Sequence, residues 1–154
     1  MILKIRKVLQ INITYLIIDN DLCQSIENAA LRGVDVRIIV PHIPDKKLVF
    51  GMTKSFYHRL MAAGVTIYEY EPGFIHAKSY LADDEYAMIG TINLDYRSLV
   101  HHFENGVWMY KCECINALKS DIFHLQPYRK EGTGKNRTGD YSPNRRTDEM
   151  RRAI

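Results

Sequence analysis

The sequence predicts a single α/β domain built around a partly parallel sheet and followed by a basic tail. Three observations carry this. Strand-like apolar runs alternate with helix-like segments, which is the signature of a layered α/β fold. The 154 residues are 46% hydrophobic and 25% charged, an ordinary globular composition for one domain with an appendage. The character of the chain changes after Gln126, which divides it into a body, residues 1–126, and a tail, residues 127–154.

Ile11 to Ile18 is a β-branched apolar run and reads as a buried strand. Asp19, Asn20 and Asp21 offer N-caps for a helix through Leu22, Ile26, Ala29 and Ala30, and Gly33 supplies its left-handed stop. Val34 to Val40 is a second strand, with Pro41 and Pro44 in the loop after it. A second helix ends in Tyr57–Ala63 and is closed by Gly64. Val65 to Tyr70 is a third strand. The Pro72-Gly73 turn leads to strand-like runs over 74–82 and 86–90, separated by an acidic turn. Phe103 to Lys111 reads as a last strand and Ile115 to Leu125 as a last helix.

Charge is unevenly spread. Residues 1–126 hold 13 basic and 14 acidic side chains, while residues 127–154 hold 8 and 4. A near-neutral body argues against a nucleic-acid module, whose affinity draws on clustered Lys and Arg. Only 5 of the 28 tail residues are apolar, too few to offset the entropy of ordering them. The tail is therefore expected to be solvated, or to place Arg145, Arg146, Arg151 and Arg152 against an anionic surface. No segment reaches the apolar length of a membrane span. Gln10, Asn12 and Thr14 interrupt the N-terminal apolar run, so no signal peptide is expected. The three cysteines read as free thiols rather than a disulfide framework or a zinc site.

One stretch carries chemistry: FIHAKSYLADDEYAMIGTINLDYRS, residues 74–98. His76 and Lys78 stand two apart in an extended run, which predicts that both project from one face of a sheet. An imidazole nitrogen is a competent nucleophile near neutral pH, and an ammonium neutralises phosphate oxygens, so the pair suits attack at phosphorus. Gly90 is expected to let the backbone approach a ligand, and Thr91 and Asn93 to supply uncharged donors.

His76-x-Lys78, four residues, Asp83, six residues, then Gly90-Thr91-x-Asn93 resembles the HKD motif of the phospholipase D superfamily. ALRGVDVRIIVP (30–41), YEY (68–70), PGFIHAK (72–78) and NLDYRS (93–98) are similar to the second half of bacterial cardiolipin synthases. The resemblance implies a phospholipase D-like α/β/α sandwich with a mixed, partly parallel sheet, carrying a single HKD half.

It also implies residue roles. His76 matches the histidine that forms a phosphohistidine or protonates the leaving alcohol. Lys78 and Asn93 match the groups that hold phosphate oxygens, and Thr91 the hydroxyl position beside them. Asp83 matches the motif's acid, a support for loop geometry counted with the catalytic set. Glu104, 28 residues after His76, matches the carboxylate that orients the imidazole; otherwise it is a solvated charge at a strand start. His101 and His102 either line the site or are polar surface, and Arg97 either meets phosphate or pins a loop. Tyr68, Tyr70 and Tyr80 read as packing. No metal or other cofactor is expected.

The family relation implies phosphatidyl transfer between phosphatidylglycerol molecules, with a phospholipid substrate and a membrane-surface setting on the cytoplasmic side. Nucleic acid is not an expected partner. Relatives of this type carry two HKD motifs and N-terminal membrane helices, whereas this sequence shows one motif. It is therefore expected to be a fragment, completed by a second copy or a separate chain, and a frame change near Asp121 is one origin. A single-motif homodimeric phosphodiesterase or nuclease, and an inactive remnant or interaction module, are the alternatives. The first-strand loop keeps Tyr15 and Asp19 but lacks the family's prolines, which leaves its geometry open.

Overall fold

The computed structural model describes residues 2–43 and 45–125, and the expectations for the tail fall outside the described residues. The chain runs through β1 (Val8–Asn12), β2 (Leu16–Ile17), α1 (Asn20–Leu31), β3 (Asp35–Pro41), α2 (Lys47–Ser55), α3 (Tyr57–Ala62), β4 (Thr66–Tyr70), β5 (Ser79–Ala82), β6 (Tyr86–Gly90), β7 (Leu94–Asp95), β8 (Gly106–Tyr110) and α4 (Cys114–Leu125). A six-stranded sheet has the order β4-β3-β1-β5-β6-β8. The β4-β3-β1 half is parallel, joined by helical crossovers, and the β1-β5-β6-β8 half is antiparallel. A small parallel pair, β2-β7, stands apart.

The alternation along β3 explains the layers. Val36, Ile38 and Val40 join Leu9, Ile11, Ile26 and Leu60 in the larger core, under α1 and α3. Ile39 points the other way and joins Leu81, Ala87, Ile115 and Ile122 under α4. Both faces of the sheet are thus covered, as an α/β/α sandwich requires. Asp19 caps α1 by accepting the Leu22 N–H at 2.7 Å, and Gly33 follows the helix with φ of +91°.

The departures from the sequence reading are local. The first apolar run divides, because the chain leaves the six-stranded sheet at Asn12 and its next paired residues, Leu16 and Ile17, join β7 in the separate two-stranded sheet. The segment before Gly64 forms two helices that break at Phe56, with Thr53 turned inward to accept the Leu16 N–H at 3.3 Å. β5 starts only at Ser79, so His76 and Lys78 precede the strand instead of lying in it. Cys112 and Cys114 form a disulfide, which corrects the expected free thiols. The reversal at Lys111, with φ of +48°, follows β8, and the two Cα atoms stand 5.4 Å apart. Cys23 is buried and free.

Candidate active site

The HKD segment meets the sheet where β5 begins and β6 ends. The Gly90 N–H donates to the Lys78 carbonyl at 3.1 Å and joins the two halves of the motif. Lys78 is buried, and its Nζ donates to Thr14 Oγ1 at 2.9 Å and to the His76 carbonyl at 2.5 Å. Burial pushes the Lys78 ammonium below its ordinary pKa, and the charges of Glu104, Asp95 and Asp45 oppose that shift. His76 itself is exposed, with its ring 5.7 Å from that of Phe74.

Asn93 is buried and directional. Its Oδ1 accepts the backbone N–H groups of Thr14 at 3.1 Å and Tyr15 at 3.3 Å. With the carbonyl oxygen committed to the protein, the amide NH2 is the group left for a ligand. Thr14 therefore bridges the two motif residues, its hydroxyl on Lys78 and its N–H on Asn93. In the sequence Thr14 stands out only as an interruption of an apolar run. A hydroxyl inside a buried run was the available signal. Tyr15 donates to Asp45, and burial followed by that bond pushes its phenol up to about 12.

Thr91 and Glu104 meet each other. The Thr91 hydroxyl donates to Glu104 Oε2, and the Asn105 N–H returns a bond to Thr91 Oγ1 at 2.9 Å. His102 Nδ1 stands 3.7 Å from Glu104 Oε1, and the Arg97 guanidinium lies 3.1 Å from His102 Nε2. The hydrogen bond from Thr91 foremost, then that from Ser98, hold the Glu104 carboxyl below the usual carboxylate range. Within the single chain the Glu104 carboxylate is thus engaged by Thr91 and His102, whereas sequence reading paired it with His76. The strand β8 begins beside the end of β6, and this register delivers Glu104 to Thr91.

Two further motif residues are placed by the sheet. Gly90 allows a close approach of the neighbouring strand: a Cβ there would stand 2.0 Å from the Asn105 carbonyl oxygen. Asp83 lies at the far end of β5 from Lys78, ~16 Å away at the usual strand rise. Its carboxylate accepts N–H bonds from Arg6, Lys7 and Val8 at 2.9, 2.7 and 3.0 Å. Burial alone pushes this acid up, but the three amides hold it below the ordinary range. Asp83 clamps the start of β1 to the β5–β6 turn, where the chain is left-handed at Asp83 and Asp84. Tyr80 packs as expected, its hydroxyl donating to the Ile92 carbonyl at 2.7 Å.

A cleft of about 380 Å³ opens beside this cluster. Asn93, Glu104, Arg97 and His102 form its polar part, and Ile17, Val49 and Met52 its apolar wall. A cleft with an amide donor and a guanidinium beside an apolar wall can hold an anionic group that carries an apolar chain.

The family model described as "Cardiolipin synthase, PLD-like domain" matches residues 1–125. The chain belongs to this family. It is 41% identical over 124 residues to a cardiolipin synthase of Halalkalibacterium halodurans, covering 80% of this chain and 25% of that one. It is 42% identical over 122 residues to cardiolipin synthase 2 of Bacillus cereus, covering 79% and 24%. The chain thus spans about a quarter of the length of the curated relatives it matches. Among solved structures, the phospholipase D family member Nuc from Salmonella typhimurium superposes with a TM-score of 0.73 at 15% identity, over 84% of this chain and 85% of that one. Phosphatidylserine synthase from Haemophilus influenzae gives 0.63 at 21% identity, over 84% and 34%. These two establish the phospholipase D fold. Among the described residues, no helix is long and apolar enough to cross a membrane.

Proposed function

We propose that this chain supplies one half of a phosphatidyltransferase site acting on phosphatidylglycerol. The observation that carries the reading is the Lys78–Thr14–Asn93 cluster, which fixes a buried cation and an amide donor beside an exposed histidine. In the forward step an His76 ring nitrogen attacks phosphorus, forming an N–P bond as the P–O bond to the departing glycerol breaks. Lys78 and Asn93 take the charge that builds on the non-bridging oxygens. Thr91 and Glu104 border them, with Glu104 countering the Lys78 charge. The acceptor alcohol then attacks the phosphohistidine and returns the imidazole.

An alkoxide leaves slowly unless it is protonated, so the step needs a second acid and base. His76 alone among the six histidines has a lysine two residues on, and the second group is therefore taken from another HKD half. A second copy around a two-fold axis or a separate chain supplies it. The single HKD motif leaves one further reading, a hydrolase in which water replaces the acceptor alcohol.

Labelled phosphatidylglycerol in mixed micelles, combined with solution mass, tests the proposal. The expected result is a histidine-bound phosphatidyl adduct, lost in His76→Ala, and turnover that rises with assembly. Adduct on any other residue type, or a monomer that makes cardiolipin at a rate per chain independent of its concentration, overturns it. Release of phosphatidate in place of cardiolipin selects the hydrolase.

A further inference from the structure

The segment Tyr96–Phe103 contains a π-helical turn over Arg97–His101 and has two different sides. Its inner side, with Tyr96, Arg97, Ser98 and His102, lines the cleft. Its outer side leaves Leu99, Val100 and Phe103 exposed, with Phe103 fully open at 108% relative exposure. Three apolar side chains held in water at the mouth of a site are costly unless something covers them.

The charges around them bear on what does. Between Tyr96 and Phe103 the only ionisable side chains are Tyr96, Arg97, His101 and His102. The flanking carboxylates turn inward: Asp95 accepts the Ser98 N–H at 2.7 Å, and Glu104 receives Thr91. A second copy meeting this loop about a two-fold axis would set Arg97 and the two histidines against their own images, with no acid between them. A surface of anionic headgroups over an apolar layer complements both features at once.

We infer that the 96–103 loop is a lipid-docking element that inserts Leu99, Val100 and Phe103 into an anionic bilayer surface, with Arg97 and His101 among the headgroups. This rests on the phospholipid reading above and adds the surface by which the cleft meets its substrate in the membrane. The loop's inner side would then open directly onto the headgroup layer.

The test is sedimentation of the full chain with vesicles of phosphatidylglycerol and phosphatidylcholine, against phosphatidylcholine alone. The expected result is binding that needs phosphatidylglycerol and weakens with salt. Phe103→Ser should lower the partition coefficient about tenfold or more, the scale set by burying one aromatic side chain. His101→Glu should weaken it in phosphatidylglycerol vesicles. Both side chains are exposed, and near-ultraviolet circular dichroism checks that the variants fold. Unchanged partition in Phe103→Ser overturns the inference. So does loss of all binding when Arg145, Arg146, Arg151 and Arg152 are changed to Gln while the Phe103 variant binds normally. A Phe103→Ser that dissociates a dimer without altering vesicle binding assigns the surface to a second copy instead. Vesicle binding needs no turnover, so failure here is separate from absence of the histidine adduct.

Discussion

The ammonium of Lys78 sits 2.9 Å from the hydroxyl of Thr14, a residue 64 positions earlier that also donates its N–H to Asn93. One loop residue therefore fixes the relative position of the two motif side chains proposed to hold phosphate. Thr14→Val keeps the shape and removes the acceptor from a buried cation. The expected cost is about 1.5–3 kcal/mol, as for a hydrogen bond to a charged group. It should appear as a lower denaturant midpoint at constant m value. Thr14→Ser should restore most of it. Equal stability of the Val variant would show that Thr14 does not hold Lys78.

Much of the frame was legible in the sequence because it rests on local signals. Asp19, the 26/29/30 apolar face and Gly33 specify α1, and the VDVRIIV run specifies β3. The motif spacing picked out His76, Lys78, Thr91 and Asn93. What stayed hidden depends on pairings between distant segments. Whether Glu104 meets His76 or Thr91 is decided by the register of β8 on β6, and the use of Thr14 by where β1 leaves the sheet. Gly90 was identified as a close approach, but only the sheet order shows that the approaching group is Asn105.

Gly90 and Gly51 should respond to alanine in opposite ways. At Gly90 the new Cβ would lie 2.0 Å from one backbone atom and 2.7 Å from another. Backbone cannot yield as a flexible side chain does, so β6 and β8 must separate. We expect Gly90→Ala to lose about 3 kcal/mol or more, or to prevent folding. Gly51 lies on the exposed side of α2 with nothing within 4 Å of its added Cβ. Gly51→Ala should stabilise by about 0.5–1 kcal/mol. Thermal melts of the two variants check the contrast.

Asp83 should matter for stability and for its pH dependence. Its three backbone amides hold the folded pKa below the ordinary carboxylate value, against the upward push of burial. A depressed acid stabilises the fold above its unfolded pKa, near about 4, and that contribution is lost as pH falls through the folded value. Asp83→Asn should therefore lie furthest below the parent near neutral pH, with the gap closing below about pH 4. Parallel stability curves for the two proteins across that range would refute the clamp.

Glu69 is a fully buried carboxylate that the proposed phosphoryl chemistry does not use. Its oxygens meet His42 Nδ1 at 2.6 Å, Lys54 Nζ at 3.1 Å and the Tyr57 hydroxyl at 3.1 Å. These partners follow β3, close α2 and open α3, so one β4 side chain ties three elements to the sheet. The tie bears on the cleft, because Val49 and Met52 of α2 and the adjacent Lys46 form its wall. Burial pushes the Glu69 carboxyl up, but the bonds from His42, Lys54 and Tyr57 outweigh it and leave the pKa lowered. Its contribution is thus present above the unfolded carboxylate value and lost as pH falls through the folded one. Removing one partner of a buried ion pair costs about 3–5 kcal/mol. The half-exposed His42 and Lys54 regain water when Glu69 is removed, which places Glu69→Ala at the lower end of that range. Glu69→Gln should cost less, since an amide keeps an acceptor for Lys54 or Tyr57. Hydrogen exchange provides the second reading: amides of 47–55 should open faster in Glu69→Ala, while those of α4, which packs on the opposite face, should follow only the global loss of stability. Uniform acceleration across the chain would show that Glu69 is an ordinary core contact and not the tie that holds the cleft wall.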